Sequence, residues 1–326
     1  MKASCSVALA TIGKATAATV VMGLCMALVP LASVALVPVL PLPAAHVVAR
    51  RGVLPGVAVT IVSTGLVFAA LGIGVAALVF LIVLGLGMTL GVAVRRKWKF
   101  GTTLVATAGA AVAGLSLWGL SVWLAFGLDV ARVRESVDAS ITQAADLYTR
   151  VGVSAHTVDS LSEQLRQIAR VVPYLTPGLI GMGAVLLAAC SLALAYLLFP
   201  RVRAKVVLGF ALSEFRMHWA AAYASIFGLA LLMLSRGRAE WHTVALYSGL
   251  NVLLVSQTLF FLQGLAVARW FMVSRQLRPG SRAALYVGAL LGQALLQITG
   301  LAGLLDTWVD YRKRFALKSP GTGSAG

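Results

Sequence analysis

Only two acids, Glu214 and Asp306, closely adjoin long apolar runs outside a charged stretch in the middle of the chain; the other two outlying acids are Glu240 and Asp310. A carboxylate held at membrane depth is costly, which makes both functional candidates. Neutral polar groups cluster near them. In NVLLVSQTLFFLQGLAVARWF, residues 251–271, Asn251, Gln257, Gln263 and Arg269 recur at a constant interval of six. Six residues turn a helix by about 240°, so these four side chains point in three directions and need neighbours on most sides. Further on, Tyr286, Gln293, Gln297 and Gly300 fall at i, i+7, i+11 and i+14, the spacing of one helix face. Amides in apolar surroundings must find hydrogen-bond partners, and a solute pocket and a structural network both satisfy that need. In the pocket reading Asn251, Gln257, Gln263, Gln293 and Gln297 supply hydrogen bonds while Arg269 or Glu214 orients a charged group.

Asp306 has a competing reading. It opens DTWVDYRKR, where Asp310 and Arg314 are four apart and Trp308 and Tyr311 suit the headgroup layer, so Asp306, Trp308, Asp310 and Arg312 read as a helix end anchored at the interface. Enzyme signatures are missing. His46, His156, His218 and His242 lack HExxH spacing, and neither a GxSxG nor a phosphate-binding GxxxxGK[ST] is present. Cys5, Cys25 and Cys190 lie far apart in apolar sequence, without metal or redox spacing. The expectation is a non-enzymatic protein with no cofactor and no metal.

The elements that must carry these residues are membrane helices. The chain has 326 residues, 60% hydrophobic and 11% charged, with a mean hydropathy of +0.93; a soluble protein carries about 25% charged residues. Apolar segments fall near 12–35, 36–49, 53–71, 72–94, 102–127, 173–199, 206–235, 243–273 and 283–305. An all-α polytopic membrane helix bundle of about eight transmembrane helices follows, its first span uncleaved because Lys14 interrupts the run that begins at Val7. The second segment is short and holds Pro38, Pro41 and Pro43, so it reads as a broken span or a buried re-entrant piece. The segment at 206–235 is a second suspect, interrupted by Glu214, Arg216 and His218.

The net charge of +17 sits in short clusters beside apolar runs: Arg50–Arg51, RRKWK at 95–99, RVRAK at 201–205 and RKR at 312–314. That placement suits anionic lipid headgroups and topology control, not nucleic acid. With a cytoplasmic N-terminus and nine crossings, RKR would land outside, which implies that one segment does not cross fully.

Residues 129–172 differ from the rest. They hold six of the ten acids against five arginines, while Val130, Val133, Val137, Ile141, Ala144, Tyr148 and Val151, then Val158, Leu161, Leu165, Ile168 and Val172, step by three or four. Two amphipathic helices are expected, with Ser160-x-x-Glu163 as a capping box near the start of the second. The chain then divides into N-terminal spans at 1–128, the hairpin insert at 129–172, C-terminal spans at 173–315 and a disordered tail at 316–326. In the first span Ala15, Thr19, Gly23 and Ala27 form a small-residue stripe for helix packing.

LSEFRMHW at 212–219, GLNVLLVSQTLFFLQGLAVARWF at 249–271 and GLLDTWVDYRKRF at 303–315 together resemble the uncharacterised bacterial YybS-like membrane protein family. PLP at 41–43, ARRG at 49–52 and the insert before Pro173 are similar too, so the resemblance covers nearly the whole chain; His218 departs from it, standing where the family would have proline. The resemblance implies a distant grouping with the substrate-binding S components of energy-coupling-factor transporters, which capture vitamins or metal ions and dock a coupling partner through an alanine-rich first helix. Two functions are therefore expected. The first is an inner-membrane protein that binds or transports a small solute, as a capture subunit beside a coupling subunit and ATPase. The alternative is a membrane scaffold that recruits a partner through the hairpin.

Overall fold

The computed structural model describes residues 2–29, 33, 35–127, 130–198, 212–236, 240–309 and 311–314. Among these residues every regular element is helical: α1 Lys2–Leu28, α2 Leu42–Arg51, α3 Val53–Leu71, α4 Ile73–Arg95, α5 Phe100–Phe126, α6 Val130–Arg150, α7 Ala155–Leu198, α8 Ala221–Leu234, α9 Glu240–Ser274, α10 Pro279–Leu296, α11 Ile298–Val309 and α12 Tyr311–Arg314. In hydrocarbon no water can satisfy backbone N–H and C=O groups, so apolar sequence of this length resolves as helix. Six helices are long and apolar enough to cross, and α10 with α11 raises the total to seven if the pair counts as one span. Leu54, Ile73, Val105 and Leu124 point outward. That is how a bundle solvated by lipid tails looks.

The second apolar segment does not make an ordinary span. Its helix, α2, has 10 residues, or about 15 Å against a hydrocarbon core of about 30 Å. Leu40, Leu42, Val47 and Val48 are fully buried between α3 and α4. Glycine makes that possible: a Cβ on Gly91 would stand 2.5 Å from the Cβ of Val48. Ser191 of α7 donates a hydrogen bond to the Pro38 carbonyl at 2.9 Å, one of the acceptors that the proline-rich approach leaves free. Irregular backbone at membrane depth is tolerated where it is enclosed by protein, and this segment is. Beside it α4 contains a π turn, Val83–Gly87, where Gly87 lies against the Pro41 carbonyl.

The last apolar segment is broken as well. α10 and α11 meet at an angle of 99° because Gln297 adopts a left-handed conformation with φ 53°. Tyr286, Gln293, Gln297 and Gly300 therefore do not share one helix face, which corrects the expectation from their spacing. Gln297 is exposed, whereas Gln293 folds back and accepts the Gly300 N–H at 2.8 Å. It thereby satisfies one of the orphan donors that begin α11.

Contacts place the basic clusters at one end. Arg95 lies against Gly52, the Phe100 and Phe215 rings pack edge to face at 5.2 Å, and Arg312 donates to the Ser213 carbonyl at 2.7 Å. α9 runs parallel to α7, with Gly178 beside Asn251 and Gly181 beside Val255, so Arg275 also emerges at that end. Return of the chain through the bent α10–α11 pair is what brings the RKR cluster to the same side as the others. The cluster at 201–205, the tail at 316–326 and residues 206–211 lie outside the described residues.

At the opposite end α6 and α7 form the expected hairpin, but its second arm is not separate from the span. α7 has 44 residues and passes through Pro173 and Pro177 without ending. The boundary expected at 172–173 is therefore not a break in the helix. Nor does Ser160 cap it: the helix starts at Ala155, where the Ser154 hydroxyl accepts the Thr157 N–H at 3.4 Å.

Candidate functional site

The C-terminal half converges on a buried charge pair. α9 supplies Gln263, α11 supplies Asp306 and α12 supplies Arg312; they are 1%, 6% and 3% exposed. Gln263 Nε2 donates to Asp306 Oδ2 at 2.7 Å, and its Oε1 accepts the Met217 N–H at 3.1 Å. Arg312 Nη2 reaches the same carboxylate oxygen at 3.2 Å. The 3-10 turn Leu212–Glu214 and the irregular residues after it are held by both groups, through Ser213 and Met217. The other carboxylate oxygen, Oδ1, is buried and has no hydrogen-bond partner among the described residues. An acceptor left so costs about 1–3 kcal/mol.

This geometry revises the interface reading. Asp306 and Arg312 are buried, not turned to headgroups; Trp308 is exposed, as an interfacial indole would be, and Asp310 lies outside the described residues. A pair six residues apart would sit about 240° apart on a straight helix. The contact forms nonetheless, and no helical spacing rule finds it.

Close backbone approach fixes the arrangement. A Cβ on Gly264 would overlap the Thr299 carbonyl oxygen, and one on Gly303 the Phe260 carbonyl oxygen. α9 and α11 thus touch backbone to backbone, one turn from the charge pair. Gln257 borders the same contact: its Oε1 would be 2.9 Å from a Cβ on Gly300, and it is a second buried acceptor without a partner among the described residues.

The remaining candidates are placed as follows. Asn251 is spent on α7: its Nδ2 donates to the Tyr174 carbonyl at 2.8 Å and its Oδ1 accepts the Gly178 N–H at 2.7 Å. Those two groups are i and i+4 in α7 beside Pro177, so the carboxamide bridges one turn of that helix. Asn251→Ala should remove both inter-helix bonds and destabilise the bundle by about 1–3 kcal/mol, read as a lower thermal midpoint in detergent. Arg269 is half-buried, and the side chain of Glu214 lies outside the described residues. In α1, Thr19 is fully buried and a Cβ on Gly23 would stand 3.2 Å from Val67 of α3, while Ala27 is exposed. A cavity of about 350 Å³ lies elsewhere, lined by Pro177, Gly178, Ala224, Asn251, Val255 and Ser256. Its polar groups are already engaged, Asn251 as above and Ser256 with Ser225 at 3.0 Å, so it offers mainly van der Waals contact.

Stacked apolar helices, outward-facing leucines and buried polar groups define a multi-pass integral membrane helix bundle. The chain belongs to the family described as predicted membrane protein (DUF2232), which matches residues 17–307. That membership agrees with the YybS-like resemblance. No curated protein and no solved structure matches the chain.

Proposed function

We propose that the protein is a non-enzymatic binding subunit of the bacterial inner membrane, with its basic end in the cytoplasm, that takes a small solute bearing hydrogen-bond donors or positive charge. The observation that carries this reading is the buried Asp306 carboxylate, with one oxygen engaged by Gln263 and Arg312 and the other unpartnered among the described residues. Broken helices at membrane depth recur where solutes and ions are held, and an intramembrane carboxylate is a binding candidate by default. Gln257 adds a second waiting acceptor. Orientation follows from the gathering of arginines at one end, which anionic lipids on the cytoplasmic side favour. Within a transport complex the partners would be a membrane coupling subunit and an ATPase.

The test is to purify the chain from its native membranes in mild detergent, release small molecules by denaturation and identify them and the co-purifying proteins by mass spectrometry. An amine or cation present at about one per chain is expected, together with a coupling subunit and ATPase. Gln257→Met removes an acceptor that the fold does not use, so its stability to unfolding should stay within about 1 kcal/mol of the parent while the solute is lost. Solute content no higher than that of an unrelated membrane protein prepared alongside would end this reading.

A further inference from the structure

The hairpin carries an apolar stripe that its own fold does not cover. In α7 the residues turned to α6 are Val158 and Ser162, both buried, with Arg166 and Ala169 half-buried. Leu161, Leu165, Ile168 and Val172 lie about 85° around the same helix, and are 41%, 39%, 58% and 41% exposed. The 44 residues of α7 measure about 66 Å, twice the hydrocarbon thickness, so the first half of the helix stands beyond the core. Asp159, Glu163, Arg166 and Arg170 interleave with the stripe and keep this arm in water. Four large apolar side chains aligned in water mark an interface.

Their spacing says what covers them. The steps from Leu161 to Leu165, Ile168, Val172 and Leu175 are four, three, four and three, the a/d pattern of a coiled coil. The flanking e and g positions are Ser162, Gln164, Ala169, Val171 and Thr176. None is charged, so like charges do not oppose the pairing of two identical helices. Two copies inserted in one membrane with the same orientation also hold their α7 helices parallel, which is the direction an a/d stripe needs to meet itself in register.

We infer that the protein self-associates through α7, the stripes of two copies packing about a two-fold axis along the membrane normal into a four-helix assembly outside the hydrocarbon. This stands apart from the solute reading, which neither outcome below decides. The full chain, with Cys5, Cys25 and Cys190 replaced by alanine, would be given single cysteines in turn along α7 and oxidised in native membranes. Disulfide-linked dimers are expected at Leu161, Leu165, Ile168 and Val172, at least fivefold above Glu163, Gln167 and Arg170, which face away. Leu165→Glu with Ile168→Glu should convert the detergent-purified dimer to monomer by mass photometry while its helical circular dichroism is retained. Absence of dimers, cross-linking without that periodicity, or quenching of a fluorophore at Ile168 by nitroxide lipids would overturn the inference, the last by placing the stripe on lipid.

Discussion

Arg312→Leu should cost about 3–5 kcal/mol, because it leaves the Asp306 carboxylate buried without its cation. Both side chains are almost fully enclosed, and their 3.2 Å contact is shielded from water. The same substitution strips the donor from the Ser213 carbonyl, so the turn at 212–214 should loosen too. The expected readout is a large drop in the thermal midpoint of the purified protein and loss of its monodisperse peak. Replacing both partners, Asp306→Leu with Arg312→Leu, should recover most of that loss, since a well-packed apolar pair matches a buried ion pair in stability. A single variant as stable as the parent would show that water reaches the pair. The double variant also separates fold from function: it should be folded and empty of solute.

Gly303→Ala is expected to destabilise by about 3 kcal/mol, the upper part of the usual overpacking range. The added methyl meets the Phe260 carbonyl oxygen, which is backbone and has no rotamer to give. α11 would have to lift from α9, and Asp306 would be drawn away from Gln263 with it. Gly109→Ala in α5 is the control, because nothing lies within 4 Å of the new carbon and alanine is the better helix former by about 1 kcal/mol. Equal midpoints for the two variants would mean that α9 and α11 do not touch as described.

The amino-acid pattern by itself determined that this is an all-α membrane bundle with an amphipathic helical hairpin. Long apolar runs and basic clusters at their ends have one physical solution in a bilayer, and stepping by three and four has one helical reading. It also singled out Gln263 and Asp306, since polar groups in apolar runs are conspicuous. What it did not reveal was their meeting. Asp306 and Arg312 have no helical relationship in the chain, and Gln263 lies on another helix, so the contact exists only once α11 has crossed α9 at the paired glycines. The break at Gln297 was likewise hidden, because glutamine carries no strong signal for the left-handed backbone that it adopts there. Asn251 read as a possible ligand group and serves α7 instead, because the groups it bonds lie 73 and 77 residues away along the chain. Periodicity is local and survives in sequence. Partnership between distant segments is set by backbone approach, and only the tertiary structure decides it.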